Sequence, residues 1–380
     1  MLNPFPQVDW IFPFCPSESN WSIDWTSMLG QFEWLRNLSG CPQNPDYHAE
    51  GDVLTHTKLV CEALVSLSSW QGLTKETRSI IFLAALLHDV AKPAYTKIDT
   101  DGHISSHGHV QNGAKMARRI LWEMEVPFYF REMIVALVRQ SSLPFYLLEK
   151  PDPQFSIIQA SQTARLDWLA ILSQADTLGR KCKDQKDLLD KIELFSEFSK
   201  EQQCFGFPKE FPSAHSRFFY FQKGGGNPNH HAYNDTCLEV VLMCGLPASG
   251  KDNWIKNNLA TWPVVSLDEI RRELKTPPHK NQGEVIRESK ERARGFLREK
   301  KSFVWNATNT LRLRRSQLIS LFSGYQARIR IVYLETNPTS LLKRNHKRDE
   351  TVPKKVIEKM LDNLEIPDLT EAHQVEWIIT

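Results

Sequence analysis

The sequence predicts an all-α module followed by an α/β module built on a parallel sheet. Three observations predict it. Apolar residues in 1–222 recur at helical spacing, with no convincing alternating strand. From Leu238 onward, short β-branched runs alternate with polar, helix-prone stretches, the pattern of βαβ units. Between the two lies QKGGGNPNHHAYNDTC, with the glycine, proline and asparagine content of a linker. The expected boundaries are therefore 1–222, a linker over 223–237, and 238–380.

In chain order, His56–Leu67 places Leu59, Val60, Ala63, Leu64 and Leu67 on one helix face. Ser79–Val90 is almost wholly apolar and reads as a buried helix. Helical spacing returns over Gly113–Met124, Phe130–Arg139 and Gln162–Thr177. The predicted strands are Leu238–Met243, Val264–Ser266, Phe303–Trp305, Ile329–Leu334 and Val375–Ile379. Between them Gly283–Lys301, Leu311–Phe322 and Thr339–Arg348 are predicted helices.

Composition narrows the class. At 380 residues, 41% hydrophobic and 24% charged, the chain can build two cores and is not a disordered polymer. Its longest apolar run, Ile80–Leu87, falls far short of the ~20 residues of a membrane span. The start, MLNPFPQVDW, lacks the basic and apolar regions of a secretory signal. Seven cysteines without a CxxC pair suit reduced thiols in a cytoplasm. The expectation is thus a cytoplasmic protein with no membrane partner. Charge is uneven: 237–380 holds 25 Lys and Arg against 18 Asp and Glu, a net of +7 that could meet phosphates.

The strongest motif is LEVVLMCGLPASGKD. A predicted strand enters Gly245-Leu-Pro-Ala-Ser-Gly-Lys251 and a helix follows, which is the phosphate-binding P-loop in its proper context. The glycines let backbone N–H groups ring a phosphate, and Lys251 reaches the β- and γ-phosphates. Gly245, Pro247, Ala248, Ser249, Gly250, Lys251 and Asp252 are the candidate ATP-binding residues. Asp252 stands where a Ser or Thr normally helps hold Mg²⁺; a carboxylate can still serve there. In SLDEIRR, Asp268 suits a general base and Arg271 a phosphate contact on the same helix face. The alternative is a capping acid and a solvated arginine. Arg344 and Arg348, at i and i+4, could close on a triphosphate as a lid.

GLPASGKD, SLDEIRREL, WNATNTLRLRR and the arginine pair followed by VPKKVIEKM resemble the kinase domain of 5′-OH polynucleotide kinases. The resemblance implies ATP and Mg²⁺ as cofactors, Asp268 as general base, Arg271 on a substrate phosphate, and Arg344 and Arg348 on ATP. Thr308 and Asn309 match the family's Thr-Asn and are implied to bind substrate. The acid often found before them is absent; Asn306 and Ala307 stand there.

In the first module, His88-Asp89 end the buried helix in LLHDVAK, His56 precedes them and Asp176 follows in LSQADTLGR. Such residues are costly to bury unless they bind something, and together they can converge on one cation. The mixed N/O set suits Mn, Fe, Co or Ni as well as Zn. The order resembles the HD superfamily of metal-dependent phosphohydrolases. That resemblance implies Lys92 against substrate phosphate and His109, with His107 as alternative, at a second metal. The other second-metal histidine is missing, since Gln140-Ser141-Ser142 occupies its segment. Arg180 could hold a phosphate. His48, Glu50 and Asp52 could add contacts or form an ordinary loop. Phe218, Phe219, Tyr220 and Phe221 could stack a base or fill a core.

Together the halves resemble the bacterial HD-Pnk family of nucleic-acid end-healing enzymes. That implies a polynucleotide kinase acting on 5′-OH ends and an HD phosphoesterase removing 2′,3′-cyclic, 2′- or 3′-phosphates. Implied partners are RNA or DNA ends and a nucleic-acid ligase. Two other readings stand beside it: a small-molecule kinase fused to a nucleotide phosphohydrolase, and a degenerate nucleotide sensor.

Overall fold

The computed structural model describes residues 9–18, 20–277, 282–348 and 350–380. The first eight residues of the stretch read as lacking a secretory signal lie outside the described residues. The chain divides into two compact units, 1–210 and 211–380.

The first unit is helical. Its site is built by α1 (Val53–Ser66), α2 (Lys75–Leu87), α3 (His109–Glu123), α4 (Phe128–Gln140) and α5 (Leu166–Gly179). Helix α6 (Gln185–Glu201) packs beside α5. Asp52 caps α1 by accepting from Thr55 N–H, and Thr74 caps α2 by accepting from Thr77 N–H. These side-chain acceptors fix both helix starts. Helix α2 is buried from Thr77 to Leu87, matching its continuous apolar run. Burying each large aliphatic there contributes roughly 1.5–3 kcal/mol. Residues 162–165 lie outside α5, because Thr163 and Ala164 turn back onto Ala160. A two-residue hairpin, Lys97–Ile98 against Ile104–Ser105, was not expected.

The second unit begins with α7 (Ala214–Lys223), ahead of the expected linker. The division falls there because α7 packs on its own sheet. Arg217 donates to the carbonyls of Leu369 and His373, and Phe218 stacks on His373 at 4.0 Å. Phe218 and Tyr220 are buried, which makes them core side chains rather than a base-stacking surface.

Five strands follow: β1 (Leu238–Cys244), β2 (Val264–Ser266), β3 (Phe303–Asn306), β4 (Ala327–Glu335) and β5 (Gln374–Ile379). They pair in the order β2-β3-β1-β4-β5, every pair parallel. From Val240 onward central β1 is wholly apolar and buried, because helices cover both faces of such a sheet. The connecting helices are α8 (Lys251–Asn258), α9 (Leu267–Glu273), α10 (Gln282–Arg298), α11 (Arg312–Ser323), α12 (Pro338–His346) and α13 (Lys354–Asp362). Val241, Met243, Ile255, Val304, Val332 and Leu334 form one core cluster beneath the P-loop. Among the described residues, no helix is long and apolar enough to cross a membrane.

Candidate functional site

Two sites emerge, one in each unit. In the helical unit, α1, the end of α2, the start of α3 and α5 each bring a predicted ligand to one point. His56 Nε2 lies 3.1 Å from Asp176 Oδ1, and His88 Nε2 lies 3.3 Å from both His56 Nε2 and Asp89 Oδ2. His109 Nε2 stands 3.5 Å from Asp89 Oδ1. His107, the alternative, is exposed.

The opposite edges of the imidazoles decide the chemistry. His88 Nδ1 donates to Ala85 O (2.7 Å) and His109 Nδ1 donates to Ser106 O (2.6 Å). His56 Nδ1 lies 2.8 Å from Glu50 Oε1. With each Nδ1 carrying its proton toward an oxygen, each Nε2 presents a bare lone pair inward. With the imidazoles neutral, the inward-facing atoms of His56, His88, Asp89 and Asp176 are all acceptors, an arrangement that a cation among them would satisfy. The mixed imidazole and carboxylate set fits a divalent transition metal. His56, His88 and Asp176 lie close enough to share one ion.

Positive charge rims this cluster. Lys92 Nζ lies 2.7 Å from Asp89 Oδ2, and Arg180 grips Asp176 with two contacts, at 3.0 and 2.5 Å. Burial pushes both carboxyls up, but Lys92 and His88 at Asp89, and Arg180 and His56 at Asp176, hold them well below the usual carboxylate range. Burial pulls His88 down, yet Asp89 and Asp176 outweigh it and raise its pKa.

Close packing of α1 on α5 sets the His56–Asp176 distance. At Gly179 an added Cβ would sit 2.7 Å from the Val60 backbone nitrogen, so only glycine permits the approach.

Three neighbours depart from expectation. Asp52 is the α1 cap and also accepts from Gly40 N–H, so it is committed to backbone rather than to a ligand. Glu50 is an orienter: it bridges His48 and His56 and accepts from Lys181 N–H. Gln43 was missed. Its Oε1 accepts from Lys92 Nζ at 2.6 Å, while its buried amide nitrogen has no acceptor among the described residues. A lone glutamine in a loop carries no periodicity or spacing that would reveal it.

In the parallel-sheet unit, the P-loop joins β1 to α8. Gly245 and Gly250 have φ of 143° and 102°, and a Cβ on Gly245 would run into the carbonyl of Leu334. Lys251 Nζ donates to the carbonyls of Gly245 and Leu246 at 3.0 and 2.8 Å, so it folds back over the loop. Burial lowers its pKa to about 8, against the opposing pull of Asp252 and Asp268. Arg344 lies beside the loop, its Nη1 3.8 Å from where a Gly250 Cβ would stand.

Asp268 sits in the first turn of α9 and pairs with Arg271 on the same face. The Asp268 side chain is 62% exposed, open to an incoming substrate. Arg271 also donates to Gln282 Oε1 at 3.0 Å. Three predicted residues fall differently. Arg348 lies two residues past the end of α12, where Asn345 bonds the backbone of Val352, and its charge still acts on Lys251. Asn309 is buried and donates to Met243 O, with φ of 46°, so its side chain braces β1. Thr308 accepts from Gly245 N–H through its backbone carbonyl and braces the loop. Asp252 Oδ1 accepts from Asn306 Nδ2 at 2.6 Å. Its oxygen donors suit Mg²⁺, a hard cation.

The comparisons agree with this division. The HD domain family matches residues 53–172, and the AAA domain family matches residues 240–367. The Multifunctional CCA protein of Teredinibacter turnerae is 35% identical over 103 residues, 27% of this chain and 22% of that protein. The protein of the same name from Mannheimia succiniciproducens is 29% identical over 171 residues, 42% of this chain and 39% of that protein. That from Thioalkalivibrio sulfidiphilus is 27% identical over 154 residues, 39% of this chain and 35% of its own length. The chain thus spans 22–39% of the length of these relatives. The helical unit thus matches the HD domain family, and the P-loop unit matches the AAA domain family.

Proposed function

We propose that the chain heals nucleic-acid ends. Its C-terminal unit would phosphorylate 5′-OH ends with ATP, and its HD unit would remove 2′,3′-cyclic, 2′- or 3′-phosphate from the opposite ends. The observation that carries the kinase half is the Asp268–Arg271 pair beside the P-loop. Asp268 is exposed and already hydrogen-bonded, and Arg271 can exchange it for a substrate phosphate.

In the kinase step the substrate 5′-oxygen attacks the γ-phosphorus in line and its proton passes to Asp268 Oδ. The bond from γ-phosphorus to the β-bridging oxygen breaks and ADP leaves. Lys251 exchanges its loop carbonyls for phosphate oxygens, and Arg344 brings charge from the Gly250 side. Magnesium, when bound, neutralises the β- and γ-oxygens. In the HD unit a divalent cation supplies Lewis-acid activation of water and phosphoryl oxygen. Lys92, Arg180 and Gln43 orient the phosphate at its rim.

The net of +7 over 237–380 favours a polynucleotide over a small-molecule acceptor. RNA cleavage leaves cyclic phosphate and 5′-OH ends, the reverse of what a ligase joins, so a ligase is the expected consumer of the product.

The test is transfer of labelled γ-phosphate from ATP to a 5′-OH RNA, beside Asp268→Asn, and release of phosphate from a 2′,3′-cyclic end across Mn, Fe, Co, Ni and Zn. Transfer lost in Asp268→Asn supports the kinase half. Equal transfer to a mononucleoside and an oligomer would instead favour a small-molecule acceptor.

A further inference from the structure

Two departures from the ordinary P-loop pattern touch each other. In most P-loop phosphotransferases a Ser or Thr follows the loop lysine, and a strand-end carboxylate joins it in holding Mg²⁺. Here the helix position carries a carboxylate, Asp252, and the strand position carries a neutral amide, Asn306. Asn306 is the last residue of β3, in register with Ser266 at the end of β2, two positions before Asp268. Asp252 is the second residue of α8, directly after Lys251. Their side chains meet at 2.6 Å.

The hydrogen bond fixes the orientation of the amide. An ionised carboxylate only accepts, so the NH₂ of Asn306 must face Asp252. In the ordinary arrangement the helix hydroxyl donates to the strand carboxylate. Here the strand amide donates to the helix carboxylate. Donor and acceptor have changed places, while the pair keeps one hydrogen bond and one negative charge. Each change alone would disturb the site. A carboxylate after the lysine facing a strand carboxylate would put two like charges at hydrogen-bond distance, and a hydroxyl facing an amide would leave no charge for the cation.

We propose that Asp252 and Asn306 form an exchanged magnesium pair, in which the carboxylate has moved from strand to helix and Asn306 holds it toward the bound nucleotide's metal. The proposal rests on reading this unit as an ATP·Mg phosphotransferase. Asp252 is therefore the metal-facing anion and Asn306 its positioning partner.

The exchange can be reversed. ATP affinity is measured calorimetrically with Mg²⁺ and with EDTA, so that the metal-dependent part is isolated without any turnover. The wild type is expected to bind tighter with Mg²⁺. Asp252→Ser should lose about tenfold or more of that metal-dependent gain while still binding metal-free ATP. Asp252→Ser combined with Asn306→Asp restores the ordinary pair and should regain binding to within about threefold of wild type. Asn306→Asp alone brings two carboxylates together, so Mn²⁺ should raise its melting temperature more than that of the wild type. A double variant as weak as Asp252→Ser, with metal-free ATP binding intact, overturns the exchange alone. Asp252→Ser that binds Mg·ATP like wild type also overturns it. A wild type that binds no ATP overturns the reading of the loop and the exchange with it.

Discussion

In the helical unit the candidate metal ligands are buried, aimed inward and tied from behind. In the parallel-sheet unit the candidate catalytic groups are engaged with one another or with the loop itself. His56, His88 and His109 each have Nδ1 anchored and Nε2 presented. Lys251 instead donates to two loop carbonyls, and Arg271 to Asp268. The first set would take a cation without rearrangement, while the second would have to exchange partners to take a nucleotide and a substrate. Preorganisation suits a metal that must be held in fixed geometry. Exchangeable pairs suit a phosphate carrying several charges that leaves on every turnover.

The largest expected effect breaks the two sites apart. Asp176→Asn removes one ligand and leaves Arg180 without its carboxylate. Metal content by mass spectrometry and phosphoesterase rate should each fall about a hundredfold or more, with kinase activity kept. Lys251→Ala should do the converse, abolishing phosphoryl transfer with the HD rate unchanged. Loss of both activities in either variant would show that the sites are not independent.

The second effect sharpens what being tied from behind means. Glu50 bridges His48 and His56 without reaching the inward cluster. Glu50→Gln should weaken metal binding by about 10–100-fold, read as the free-metal concentration for half occupancy. Unchanged affinity would reduce Glu50 to a loop brace.

A third test uses pH. Burial depresses Lys251 to about 8 in the resting protein, and bound triphosphate favours the charged amine. Above pH 8 binding must take up a proton, so ATP affinity should fall by up to about tenfold per pH unit, and stay flat with respect to this group below it. Because its folded pKa is depressed, the resting protein holds fewer protons here than the unfolded chain between about 8 and the ordinary lysine value of 10.5. Stability from this group therefore rises with pH across that window. Lys251→Met should remove both trends.

These contrasts also explain what the sequence disclosed. Periodicity exposed α1 and α3 to α5, a continuous apolar run exposed α2, and β-branched or apolar runs exposed all five strands, because each reports burial. The candidate ligands were legible because a histidine and an aspartate ending an apolar helix are costly to bury, and because His56 and Asp176 flank them in order. The loop was legible because glycine spacing reports a backbone that must approach phosphate. The helix predicted through Arg348 ends at His346, because Asn345 bonds Val352, a contact without periodicity. Asn306 looked like a lost acid until its contact with Asp252 was in view. Glu50 stood beside Asp52 as an equal candidate, and only the contacts separate an orienter from a helix cap.

Gln43 provides the smallest effect, and a sharp one. It precedes the matched HD segment of 53–172, yet it accepts from Lys92 and keeps a buried amide nitrogen without an acceptor among the described residues. An unmet buried donor costs about 1–3 kcal/mol unless something accepts it. A substrate phosphate oxygen at Lys92 would. Gln43→Ala should then raise KM for a phosphate-terminated end by about fivefold, corresponding to roughly 1 kcal/mol, with metal affinity unchanged. Gln43→Glu should raise it further, because a carboxylate keeps the contact to Lys92 but repels the phosphate. If both variants bind metal and substrate as wild type does, the amide belongs to packing. The preassembled site would then end at its ligands and their supports.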